Sequence, residues 1–251
     1  MKIRICYGKT ERGSYLSHLD LARTMERSLR RAKAPLAFSE GFNPHPKLSF
    51  ASALAVGTTG CREYLDVELA ARVNVKALSQ ALEKALPPAL AFVAAEEIRE
   101  NSKSLSAIVN LAVYRIKVAV KPEDEEKVAL GIEKVLAASE LWRKPKEKPG
   151  KKPTPAKEVR GLIRQISVME PTPAGAAAGN EAENAGRDEK TVELEMVLRL
   201  SAEGQLRPQE LWEMIAAAGD FEALTPLAVC RRALLIEQGG KRFAPMEGVR
   251  D

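Results

Sequence analysis

The 251-residue chain carries 39 Lys and Arg against 34 Asp and Glu, and 45% of it is hydrophobic. That is enough apolar material for the cores of two domains of ordinary size. No run of 18 or more apolar residues exists, which excludes a membrane-spanning helix. The opening MKIRICYGK has no apolar signal core, so a cytoplasmic protein with no membrane partner is expected. The three cysteines, Cys6, Cys61 and Cys230, are odd in number and far apart. That argues against a disulfide framework and against a clustered thiolate metal set, and each reads as a small buried hydrophobe. Residues 1–103 hold 16 Lys and Arg against 11 Asp and Glu, while 104–251 hold 23 of each. The formal positive excess therefore sits in the first part, a pointer toward nucleic acid.

Residues 2–8 alternate and predict a strand. Ser17 opens a helix, and Ser-x-x-Asp with Asp20 forms a capping box. The helix runs to about Lys33, where Pro35 stops it. Short extended pieces are predicted at Leu36–Ser39 and Lys47–Ser52, around the loop Glu40–Pro46. Arg62–Leu69 alternates, with Arg62, Tyr64, Asp66 and Glu68 on a polar face and Leu65, Val67 and Leu69 toward the core. Asn74 caps a helix over Val75–Leu86, ended by Pro87 and Pro88, and Ala91–Ile98 closes the set. The order is the ferredoxin-like β-α-β-β-α-β.

The second part echoes this pattern. Strands are expected at Leu111–Val120, Val159–Met169, Thr191–Leu200 and Ala233–Glu237. Helices are expected at Glu123–Ala138 and from Pro208 through Ala218. The fold expectation is α+β, with two tandem ferredoxin-like units built on antiparallel sheets, residues 1–103 and 104–251. Two segments fit neither core: a Pro/Lys loop over Arg143–Lys157 and a low-complexity insertion over 171–190, read as disordered. Trp212 reads as core, and Trp142 as a core or loop anchor.

At 100° per residue, Ala22, Met25, Leu29 and Ala32 share the stripe that packs on the sheet, while Arg23, Arg27, Arg30 and Arg31 fall on the opposite arc. Arginine's planar fork suits phosphate; the same pattern also describes a solvated helix face. The loop Glu40–Lys47 contains Gly41, which opens backbone conformations closed to other residues. Its prolines hold Asn43 and His45 extended. Phe42 either anchors the loop in the core or stacks on a base. Asn43, His45 and Lys47 beside an arginine helix would suit unpaired RNA bases; the alternative is a rigid connector. His18 and His45 are the only histidines. Either could act as a general base in RNA cleavage, but neither has an identifiable acid partner. No zinc-ligand spacing, phosphate loop or nucleophile elbow is present, and no metal is expected.

Three runs carry a resemblance: YLSHLDLARTMERSLRRA (Tyr15–Ala32), PLAFSEGFNPHPKLSFASAL (Pro35–Leu54) and GCREYLDVEL (Gly60–Leu69). Together they resemble the radical-SAM-linked protein family. These are bacterial domains that stand alone or follow a cobalamin-binding-type radical-SAM domain. The likeness covers the first part and is loose after about residue 105. The chain lacks the CxxxCxxC cysteine triad. The resemblance thus implies a partner radical-SAM enzyme on a separate polypeptide and no cofactor on this one. By element order the chain is also similar to tandem ferredoxin-like RNA-binding proteins such as CRISPR repeat-processing endoribonucleases. The expected role is an accessory protein that binds RNA and presents it to a modification enzyme. Arg23, Arg27, Arg30 and Arg31 would contact phosphate, and Asn43, His45 and Lys47 a base or local structure. The rivals are an RNA-cleaving or RNA-modifying enzyme using His18 or His45, and a module docking on an acidic protein face.

Overall fold

The computed structural model describes residues 1–143, 156–169, 190–201 and 204–247. Apart from their ends, the predicted Pro/Lys loop over 143–157 and the predicted insertion over 171–190 lie outside the described residues. Contacts divide the chain into two units, Met1–Ala112 with Cys230–Asp251, and Val113–Val229.

The first unit begins with β1 (Lys2–Lys9), α1 (His18–Arg31), β2 (Leu48–Phe50), β3 (Thr59–Glu68), α2 (Val75–Ala85) and β4 (Leu90–Ile98). A short helix not foreseen from sequence, α3 (Leu105–Ile108), follows. β1 lies between β3 and β4 and is antiparallel to both, while β2 runs antiparallel to β3. Ser17 caps α1 by accepting from the Asp20 amide at 3.2 Å, and its hydroxyl donates to the Asp20 carboxylate at 2.6 Å. At the other end Lys33 takes the left-handed conformation (φ 58°), and the Ala34 amide donates back to Leu29 O. This is the usual way of occupying the last free carbonyls before a proline ends a helix. The packed face of α1 is Leu21, Met25, Ser28 and Leu29, all buried, with Ala22 and Ala32 at its margin. It meets Ile3, Ile5 and Tyr7 of β1, Leu65 and Val67 of β3, and Leu78 and Leu82 of α2.

The predicted polar face of β3 meets solvent only at its ends, where Arg62 is exposed and Glu68 half-buried. Tyr64 and Asp66 are buried, as is Glu63. The cause is a partner on the neighbouring strand: Arg4 stands opposite Asp66 in register. Its Nε and Nη2 reach the two carboxylate oxygens at 2.8 and 3.0 Å, and its Nη1 donates to Pro245 O at 2.8 Å. A carboxylate met by a bidentate guanidinium can leave water where an unpaired one cannot.

The second unit contains β5 (Leu111–Val120), α4 (Glu125–Ala137), the two-residue pair β6 (Trp142–Arg143) and β7 (Lys157–Glu158), then β8 (Ile163–Met169), β9 (Lys190–Arg199) and α5 (Pro208–Gly219). The strand order is β5-β9-β8, with β8 and β9 antiparallel. α4 and α5 pack together, and Lys134 Nζ donates to Ala218 O at 3.0 Å. Trp212 is buried and donates through Nε1 to Leu224 O at 2.9 Å, whereas Trp142 is exposed.

β10 (Ala228–Gln238) and β11 (Lys241–Phe243) follow, antiparallel to each other. From Cys230 on, β10 is grouped with the first unit, and Cys230 and Arg231 run parallel to Thr59 and Gly60 of β3. The sequence pattern assigns all of 104–251 to one second unit. The grouping differs because Arg231, fully buried, is bonded to Glu63. The protein is thus a mixed α/β chain with antiparallel pairing throughout most of its sheet and five helices among the described residues. The contact grouping does not confirm two tandem ferredoxin-like copies, because most of β10, the closing strand expected of a second copy, is grouped with the first unit.

Candidate nucleic-acid interface

Lys9 sets the entry to α1. Its ammonium is buried and donates to Ser14 O at 3.0 Å and Leu16 O at 3.1 Å, the turn leading into the Ser17 cap. Burial pushes this amine below its ordinary value, while the charge of Glu63 works in the opposite sense. Sequence reading missed Lys9 because a lysine ending a strand reads as an exposed terminus.

The four arginines of α1 are all exposed, but their surroundings differ. Arg23 is 69% exposed, with its Nη1 4.0 Å from Asp20 Oδ1. Arg27 lies one turn further along the same stripe. Arg30 donates through Nε and Nη2 to Glu26 Oε1 at 2.9 and 2.8 Å, and its guanidinium carbon lies 5.3 Å from the centre of the Phe38 ring. Arg31 turns the other way. Its Nη2 donates to Ala85 O at 2.6 Å and Ser28 Oγ at 3.2 Å, capping the C-terminal end of α2. A cation there meets carbonyls that the helix leaves free. Arg31 is therefore held by structure, apart from the stripe of Arg23, Arg27 and Arg30.

The Arg30–Phe38 contact brings the predicted loop beside the helix. Phe38 and Pro46 face each other across an antiparallel bridge. The loop between is closed by Ser39 N donating to His45 O at 2.8 Å and His45 N donating to Ser39 Oγ at 3.0 Å. His45 thus spends its backbone on the closure and leaves its imidazole exposed. Gly41 has φ 115°, a value that asks for glycine. Phe42 is fully exposed, which rules out the core-anchor reading. Asn43 is exposed, and Lys47, also exposed, sits 3.3 Å from a carboxylate oxygen of Glu68.

His18 is exposed and packs edge-on against Phe50, with ring centres 5.2 Å apart. Phe50 in turn meets Tyr7 edge-on, so His18 extends an aromatic row across α1, β2 and β1. Two apolar residues flank the arginine stripe at its start: Leu19 is 67% exposed and Tyr15 81%. Among the described residues no group of three or more His, Cys, Asp or Glu is placed to hold a metal ion. Among them also, no helix is long and apolar enough to cross a membrane.

A family model described as an uncharacterized protein conserved in bacteria (DUF2344) matches residues 2–208. The chain belongs to the DUF2344 family. The match spans the arginine helix, the 38–46 hairpin and most of the second unit. No curated protein matches the chain. Among solved structures, the crystal structure of an unknown protein from Galdieria sulphuraria is similar over 87% of this chain and 91% of its own. The identity is 10% and the TM-score 0.24, a level that does not bear on fold or function.

Proposed function

We propose that the exposed stripe of α1 and the 38–46 hairpin together bind single-stranded RNA, and that the protein presents this RNA to a separate radical-SAM modification enzyme. One observation carries the reading. Arg23, Arg27 and Arg30 lie in solvent on one stripe, and Arg30 touches the hairpin whose tip holds Phe42 clear of all protein. Guanidinium groups take phosphate, and a free aromatic face takes a base by stacking. Asn43, His45 and Lys47, exposed on the same hairpin, supply donors and acceptors for a base edge. The first unit's strand order, β4-β1-β3-β2 with a helix in each crossover, supports reading it as ferredoxin-like; this adds fold analogy only. The radical-SAM partner rests on the sequence resemblance.

A filter-binding titration with single-stranded RNA over a range of salt concentrations tests this. Replacing Arg23 or Arg27 by Ala lowers the magnitude of the salt slope by about one each. Phe42→Ala weakens binding with the slope unchanged. Unchanged affinity in an Arg23→Ala/Arg27→Ala/Phe42→Ala variant would remove the surface from the argument. Leu19 and Tyr15 favour a second reading, a protein partner docked on the same stripe, because two exposed apolar side chains gain nothing from a phosphate backbone. Co-purification of a protein that survives nuclease and high salt, and is lost in Leu19→Asp, would select it.

A further inference from the structure

Cys61 and Cys230 are 169 residues apart in sequence, yet their sulfurs stand 3.4 Å from each other. Cys230 is the register partner of Thr59 on β3, and Cys61 is two residues on, so the two thiols are diagonal neighbours on one face. Both are free and only partly buried, whereas Cys6 is buried. Arg232, exposed and two residues beyond Cys230, donates through Nη1 to Cys61 Sγ at 3.4 Å. A half-buried thiol with a second thiol and a guanidinium in contact is the setting in which a cysteine reacts. A structural cysteine needs neither neighbour.

We propose that Cys61 and Cys230 form a reversible dithiol–disulfide site that takes a hydroperoxide as its oxidant, with Cys61 the attacking sulfur and Cys230 the resolving one. The assignment of roles follows from the contacts. Either sulfur could donate across the 3.4 Å contact, but the Arg232 guanidinium donates to Cys61, which marks it as the sulfur to hold as thiolate. A hydrogen bond from Cys230 and the Arg232 charge lower the Cys61 thiol to about 6, against its partial burial and the Glu63 carboxylate. The Cys230 thiol moves the other way, because the Cys61 sulfur holds its proton and burial adds to that effect. The groups that decide the charge on Cys61 are thus Cys230 and Arg232 on β10 and Glu63 on β3.

In the first step the Cys61 thiolate attacks one peroxide oxygen. An S–O bond forms, the O–O bond breaks, and the departing hydroxide leaves as water after taking a proton. Cys61 is then a sulfenic acid. In the second step the Cys230 sulfur gives up its proton and attacks the Cys61 sulfur. The S–S bond forms, the S–O bond breaks, and a second water departs. Two thiols have lost two electrons and two protons, and one hydrogen peroxide has become two waters. Closing 3.4 Å to the ~2.05 Å of a disulfide brings the sulfurs together by about 1.3 Å, and the product joins β3 to β10 covalently. The proposal stands independently of RNA binding.

The test uses the full chain, reduced and then treated with one equivalent of hydrogen peroxide. Intact mass falls by about 2 Da, two of three thiols disappear, and digestion yields a Cys61–Cys230 linked peptide that dithiothreitol separates. In Cys230→Ser, dimedone labels a sulfenic acid on Cys61. Cys61→Ser reacts at least about tenfold more slowly, Arg232→Gln several-fold more slowly, and the wild-type rate half-rises near pH 6. Three retained thiols, oxidation first at Cys6, or a Cys61→Ser variant as fast as wild type would each overturn the proposal.

Discussion

Arg231 is the side chain on which the junction of β10 with β3 depends, and replacing it by Met tests how. The residue is fully buried. It donates Nε to Glu63 Oε1 at 2.8 Å and Nη2 to Glu63 Oε2, and it also reaches Ser52 O at 3.1 Å and Ala53 O at 3.3 Å. Ala53 is exposed and Ser52 half-buried, so water can replace part of the bonding lost there. The cost falls on Glu63, whose carboxylate stays buried without its main partner. Breaking one side of a buried pair costs about 3–5 kcal/mol. Lys9 is close enough to feel the Glu63 charge, which puts the expected loss in the lower half of that range, about 3–4 kcal/mol. At a urea m-value of about 2 kcal/mol/M, the midpoint falls by about 1.5–2 M. Hydrogen exchange of β1, β3 and β10 peptides across a urea series reads this locally. Glu63→Gln/Arg231→Met should recover about 2 kcal/mol of the single variant's loss, since the stranded charge is gone. A loss under about 1 kcal/mol in Arg231→Met, or simple additivity in the double variant, would refute the reasoning.

Three further outcomes are expected. Burial, reinforced by Glu63 for Tyr7 and by Cys6 for Tyr64, raises both phenols above their ordinary value of 10.0. Above pH 10 the unfolded chain therefore releases protons that the folded one keeps. Stability falls by about 1.4 kcal/mol per pH unit per tyrosine, and Tyr7→Phe should remove one share of that slope in alkaline urea titrations. A Cβ at Gly131 would run into Ile215 O at the α4–α5 contact, so Gly131→Ala should lower the second unit's thermal midpoint by several degrees despite alanine's better helix propensity; an unchanged or higher midpoint would contradict the packing. Arg31→Met should cost about 1 kcal/mol through loss of the cap on Ala85 O while leaving the salt slope of RNA binding as in wild type, in contrast to Arg23→Met; equal slope changes in the two would place Arg31 on the binding stripe.

The periodicities recovered what local chemistry dictates. The alternation of β1 and β5, the Ser17 and Asn74 caps, and the proline stops place those elements within a residue or two of where they stand. Long-range pairing of charges was not legible in this way. Arg4, Lys9, Glu63, Asp66 and Arg231 are all buried, because each finds its partner on another strand or turn, and no local pattern announces those partners. A basic residue inside one predicted strand and an acidic one inside another was the available sign, and it was visible in KIRICYGK and REYLDVEL. The arginine flank and the hairpin were legible as neighbours in sequence, but the departure of Arg31 to the end of α2 depends on helix–helix geometry that no pattern encodes. The meeting of Cys61 with Cys230 depends on the final strand's placement, and two cysteines 169 residues apart give no local signal.

The grouping of residues 230 onward with the amino-terminal unit has a bearing on biosynthesis. At about 5–20 residues per second, a ribosome that has made residue 112 works for roughly ten seconds more before it reaches Arg231. Through that interval the nascent first unit carries Glu63 without its cation, so its final maturation must wait until Arg231 has been made.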